Sequence, residues 1–123
     1  MLVKVSTLSD IALDWAVAHS AGYTDWDSRT ETFLGPVYGS ATRTRVSPPE
    51  YSTDWSLGGE IIEREGIAIR KYGDLPENIW QADKWQFRFA EPQAYGSTPL
   101  IAAMRCYVTS KMGEEVEIPD ELL

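Results

Sequence analysis

The segment TPLIAAMRCYVTSKMG, residues 98–113, limits the fold more than any other stretch of the chain. Thr98 carries a hydroxyl that can satisfy an open helix amide, and Pro99 has the fixed φ and missing amide proton that a first helical turn accepts. Gly113 suits a helix stop, so a helix is predicted between them. Leu100, Ile101, Met104, Tyr107, Val108 and Met112 cover more than one narrow stripe of that helix. It must therefore be covered on more than one side, by a sheet and by something else.

The remaining chain supplies those partners. Within 123 residues, 43% are apolar and five are tryptophan, enough to offset folding entropy by burial and the usual size of one domain, taken here as residues 1–123. Thr7 and Asp10 have capping-box spacing, and Leu8, Ile11, Ala12, Trp15 and His19 recur at helical intervals before Gly22, which predicts an amphipathic helix over residues 8–20. Strand patterns occur at Leu2–Ser6, Thr30–Leu34, Thr42–Val46, Ile67–Tyr72 and Trp85–Phe89, with a turn at Tyr72–Pro76. Ser47-Pro48-Pro49-Glu50 forbids helix and holds the chain extended. Short connections favour antiparallel pairing, so the expected class is α+β: a small, mostly antiparallel sheet packed against an N-terminal and a C-terminal helix. Residues 24–49 carry the weakest pattern, and strand order does not follow from the sequence.

Between these elements lies STDWSLGGEIIEREG, residues 52–66. Asp54 or Ser56 can open a turn, and Gly58-Gly59 gives a backbone freedom that other residues lack. Three structures fit: a tight turn at the glycines, a strand through Ile61-Ile62, or one or two helical turns over Glu60–Glu65 ended by Gly66. In the last case, free amides at Gly59 and Glu60 would seat an anion.

Charge narrows the function classes. A formal net charge of −8 repels nucleic acid in bulk and anionic lipid. Arg43 with Arg45, or Arg64 with Arg70, can still hold a small anion at short range. One cysteine, Cys106, excludes an intramolecular disulfide framework and a cysteine metal cage. The opening MLVKVSTLSD has no apolar signal core, and no apolar run reaches the ~20 residues of a membrane span, so a reducing cytoplasm is expected.

Catalytic signatures are sparse. His19, the sole histidine, falls near a helix end, and Cys106 falls mid-helix where a free cysteine usually behaves as a small apolar residue. Glu60, Glu63 and Glu65 read as solvated charges rather than metal ligands, and Gly58-Gly59 lacks the Lys and Ser/Thr of a phosphate-binding loop. No cofactor and no metal site are expected. Indoles interleaved with hydrogen-bonding side chains, at Asp54-Trp55 and over Trp80–Trp85, favour binding of a planar ligand. The candidate ligand-binding residues are Trp55, Gly58, Gly59, Arg64 and Trp80.

The run YSTDW over residues 51–55, then Gly58-Gly59, then IIEREGI over 61–67, resembles the signature block of the phage-encoded NinX-like family of unknown function. GSTPLIAAMRCYVTSKMG followed by EVEIP resembles that family's ending, and VKVSTLSDIALDWAVA its beginning. Residues 24–49 carry little of the resemblance, and Glu60 departs from a pattern that has proline there in many relatives. The resemblance implies a phage or prophage accessory protein acting in the host bacterial cytoplasm, and brings no activity or catalytic residue with it. By analogy with phage lifestyle, the expected function is non-enzymatic binding, with sequestration of a nucleotide-like small molecule in host defence. The alternative is a protein-interaction factor whose acidic surface meets a basic host or phage protein during replication or recombination. Homo-oligomerisation would help so small a chain build a deep pocket.

Overall fold

A computed structural model describes residues 1–36, 43–71, 79–84 and 94–123. The helix expected near the C-terminus spans Pro99–Met112, with Thr98 accepting the Ile101 amide at 3.1 Å and the Gly113 amide closing on Thr109 at 2.9 Å. It runs through the core: Leu100, Ala102, Ala103, Met104, Cys106, Tyr107 and Val108 are all buried.

One side of this helix, α3, carries an antiparallel sheet of β5 (Ile67–Lys71), β6 (Trp80–Lys84) and β7 (Ala94–Gly96), with β6 in the middle. Opposed pairs run from Ile67 with Lys84 to Lys71 with Trp80, and from Trp80 with Gly96 to Ala82 with Ala94. Gly96 lets β7 approach the start of α3: a Cβ there would lie 2.7 Å from the Ala102 nitrogen. The other sides of α3 meet α1 (Asp10–Ser20) and α2 (Trp55–Glu65).

The class is α+β as expected, but three small antiparallel sheets stand where one was foreseen. β1 (Leu2–Lys4) pairs with β8 (Glu115–Glu117), and β2 (Thr24–Asp27), β3 (Thr32–Leu34) and β4 (Arg45–Val46) form the third sheet. With two to five residues each, such strands cannot cover the core as a single layer, and they close over it from separate directions. The expected strand at Trp85–Phe89 and turn at Tyr72–Pro76 lie outside the described residues, as does Thr42.

Two local expectations for α1 are corrected. Its cap position is Ser9, not Thr7; Thr7 ends a 3-10 turn over Val5–Thr7 and its hydroxyl donates to the Lys4 carbonyl at 2.8 Å. Nor is α1 amphipathic, because every residue from Ala12 to Ala18 is buried while Ile11 is 44% exposed. The helix is enclosed by α3 on one side and by an aromatic group on another, where Phe33 lies 5.4 Å from Trp15 and 4.8 Å from Trp26. Gly22 does supply the stop, at φ 102°. Its amide bonds to the His19 carbonyl and the Tyr23 amide to the Ala18 carbonyl, the paired closure of a Schellman motif.

Candidate functional site

The glycines form neither a tight turn nor part of a strand: after a turn at residues 51–53, Trp55–Glu65 is one continuous helix with both glycines inside it. The cause is strong punctuation at each end. Asp54 Oδ1 accepts the Ser56 amide at 2.9 Å and the Ser56 hydroxyl at 2.6 Å, and Gly66 at φ 66° turns its amide back to the Ile62 carbonyl. Burial of Ile61 at 3% exposure adds to these, against a glycine cost of about 1 kcal/mol each. The anion seat at the Gly59 and Glu60 amides is therefore corrected: both lie inside the helix, past its first turn, where amides bond to the preceding carbonyls.

The helix separates its own candidates. Trp55 and Arg64 are nine residues apart, which is roughly 13 Å along the axis and about half a turn around it. Trp55 is 55% exposed on the first turn, and Gly58 is buried against Leu100 of α3. Gly59 faces open space. Trp80 opens β6, half-buried against the core. Its strand is not the surface platform that the indole spacing favoured, for Gln81, Ala82, Asp83 and Lys84 are all buried.

Arg64 alone enters a dense arrangement of charge. Glu65, at the end of α2, receives Lys84 Nζ of β6 at 3.0 Å and Lys111 Nζ of α3 at 3.3 Å, both on Oε1, while Arg64 Nε lies 3.4 Å from Oε2. Burial opposes ionisation of Glu65, but the hydrogen bonds from Lys84 and Lys111 outweigh it and hold the carboxyl below its usual range. Beneath them lies Tyr107, with the Arg64 guanidinium 6.0 Å and the Lys111 ammonium 5.9 Å from its ring centroid, within cation–π reach. Burial raises the Tyr107 phenol. Three cationic groups thus share one carboxylate, a local excess of two positive charges on a chain whose net charge is −8. Arg70, the other half of the expected basic spot, pairs with buried Asp83 at 3.0 Å. Sequence reading missed Lys84 and Lys111 because three elements have to converge before they meet Glu65.

His19 and Cys106, the sole histidine and the sole cysteine, lie in different settings. His19 stacks on Trp15 at 4.9 Å, and burial lowers its pKa. Cys106 is 3% exposed, and burial foremost, then the Asp83 charge, pushes its thiol up to about 11, so it stays protonated at neutral pH. Among the described residues, no three His, Cys, Asp or Glu side chains group to hold a metal ion, and no helix is long and apolar enough to cross a membrane.

A family model described as bacteriophage P22, NinX matches residues 4–111. No curated protein matches the chain.

Proposed function

The chain belongs to the bacteriophage P22 NinX family, which makes it a phage accessory protein, and from that premise we infer that it acts by binding a small anionic, nucleotide-like molecule. The observation that carries this reading is the excess of positive charge around Glu65. Arg64 and Lys111 are 57% and 42% exposed, so a phosphate can reach both. A phosphate presents several strong acceptors to guanidinium and ammonium donors, whereas Glu65 offers only two oxygens to three cations. Trp80 shares its sheet face with Lys84, roughly 13 Å along the strand, so a base could lie toward it only in an extended ligand. Sequestration of such a molecule in the host cytoplasm, against a host defence signal, is the role proposed for such a binder.

The test is calorimetric titration of the purified chain with adenosine monophosphate, and with inorganic phosphate in parallel. Saturable binding should weaken about tenfold or more in Arg64→Ala and Lys111→Ala, since each removes a charge-assisted hydrogen bond. Both variants should keep the parent's thermal unfolding. Absence of binding at millimolar nucleotide and phosphate, or equal affinity in both variants, would remove the anion site. The exposed indole of Trp55 favours the second reading, contact with a basic host or phage protein. That reading is tested by capture from infected cells, where a polypeptide should be retained by the parent chain, lost in high salt and lost in Trp55→Ala.

A further inference from the structure

The four charges around Glu65 divide into a buried pair and an exposed pair. The Lys84 and Glu65 side chains are 9% and 13% exposed and meet at 3.0 Å, so they neutralise each other in the floor of the site. Parting them would leave an uncompensated buried charge, which holds Lys84 on Glu65 when a ligand arrives. Arg64 and Lys111 are the pair that solvent reaches. They contact the two oxygens of the same carboxylate, at 3.4 Å and 3.3 Å, so little more than the width of that group and its contacts separates them. Both also lie at Tyr107, with their charges 6.0 Å and 5.9 Å from its ring centroid, and Arg64 is a hydrogen-bond partner of the phenol. A guanidinium has five N–H donors and an ammonium three, so each cation keeps donors for an incoming anion.

Resting on the anion-binding reading above, we propose that this site takes a terminal phosphate monoester in its dianionic form and discriminates against a phosphodiester. With Lys84 and Glu65 cancelling each other, the surface facing the ligand presents the two positive charges of Arg64 and Lys111. Tyr107 adds no charge, because burial raises its phenol and keeps it protonated. A monoester brings two negative charges spread over three terminal oxygens, so each cation meets a charged acceptor of its own. A diester brings one negative charge on two oxygens. One cation then has no charge to meet, and the second ester group takes the place of its acceptor. Arg70, the next basic group, is held by Asp83 at 3.0 Å and does not alter this balance.

The experiment is calorimetric titration of the full chain with adenosine monophosphate and with its phosphate methyl ester, a diester that keeps the same base and sugar, over a pH series that brackets the second phosphate ionisation at about 6. Above that ionisation the monoester should bind about tenfold or more tighter than the ester, the value of one charge-assisted contact. Below it, the monoester's affinity should fall by about tenfold per pH unit toward that of the ester, whose own affinity stays flat. Sulfate, dianionic throughout, should show no such slope and so separates ionisation of the ligand from ionisation of the protein. The groups facing the ligand are Arg64, Lys84, Lys111, Glu65 and Tyr107. Against the effect of burial, hydrogen bonds from Lys84 and Lys111 hold the Glu65 carboxyl below its usual range, and burial raises the Tyr107 phenol, so both titrate away from that window. Lys111→Gln keeps an N–H donor but removes one exposed charge, and should erase most of the preference for the monoester. Equal affinity for the two nucleotides above the ionisation, a monoester affinity that ignores pH, or the same slope with sulfate overturns the proposal and leaves the anion site standing. Absence of saturable binding of both nucleotides and of sulfate at millimolar concentration removes the anion site itself, and the proposal with it.

Discussion

Gly58 and Gly59 are neighbours in one helix under opposite constraints. A Cβ on Gly58 would come within 2.5 Å of Leu100 Cδ1 and 2.8 Å of the Tyr51 carbonyl oxygen. The leucine end can rotate away, but the carbonyl is backbone and cannot. A Cβ on Gly59 would meet nothing within 4 Å. Gly58→Ala is therefore expected to destabilise the protein by about 1–3 kcal/mol through overpacking. Gly59→Ala should stabilise it by roughly 0.5–1 kcal/mol, because alanine costs less backbone entropy in a helix. Urea unfolding at constant slope reads both, and shifts of the same sign would mean that the α2–α3 contact is not as described. The sequence shows two equivalent glycines, since the difference between them is made in three dimensions, by the Tyr51 carbonyl and by Leu100 of α3. The same holds for Lys84 and Lys111 around Glu65, whose charges carry no spacing relation until α2, β6 and α3 meet.

Elements that carry their own punctuation are legible, and α2 shows how far that legibility extends. Asp54 accepts from both the side chain and the backbone amide of Ser56, and those bonds, the side-chain one foremost, hold its carboxyl below the ordinary range. Its native pKa is thus depressed relative to the unfolded chain. The stabilisation is complete above the unfolded value and is lost as pH falls through the native one. Asp54→Asn keeps an acceptor but no charge, so the variant should be less stable than the parent near neutrality. The gap should close in acid below the native pKa. A gap that stays constant across a pH series of urea unfolding curves would show that the charge of Asp54 contributes nothing to the cap. The caps of α3 could be read from Thr98, Pro99 and Gly113 because each interaction is local. The start of α1 could not, since the 3-10 turn at Val5–Thr7 occupies the residues that resemble its cap. β6 was obscured by its own charges: Asp83 and Lys84 are buried in a central strand, which their partners Arg70 and Glu65 make tolerable.

At the scale of the whole molecule, the two ends of the chain close one side of the core together. β1 and β8 pair in register from Leu2 with Glu117 to Lys4 with Glu115, and the Ile118 amide bonds to the Met1 carbonyl at 3.0 Å. Trp26 Nε1 donates to Glu121 at 2.9 Å, tying the β2 strand to the final turn. Val116, Ile118 and Leu122 are buried, although Glu114, Glu115, Glu117, Asp120 and Glu121 surround them in the sequence. The alternation of Val116 and Ile118 with glutamates is a strand signal, but three residues of it are too few to outweigh the acidic composition. The physical weight therefore rests on the apolar residues and not on the charges around them. Glu117 meets the N-terminal ammonium at 2.9 Å with both groups more than 70% exposed, where solvent screens the pair. Glu117→Gln should accordingly leave the unfolding midpoint unchanged. Ile118 is 1% exposed, and truncating it leaves a cavity beneath the paired ends. Ile118→Ala is expected to cost about 2–5 kcal/mol, read as a lower urea midpoint at unchanged slope. If Ile118→Ala were neutral and Glu117→Gln costly, the terminal segment would be held by its charges, and the core would end at α3.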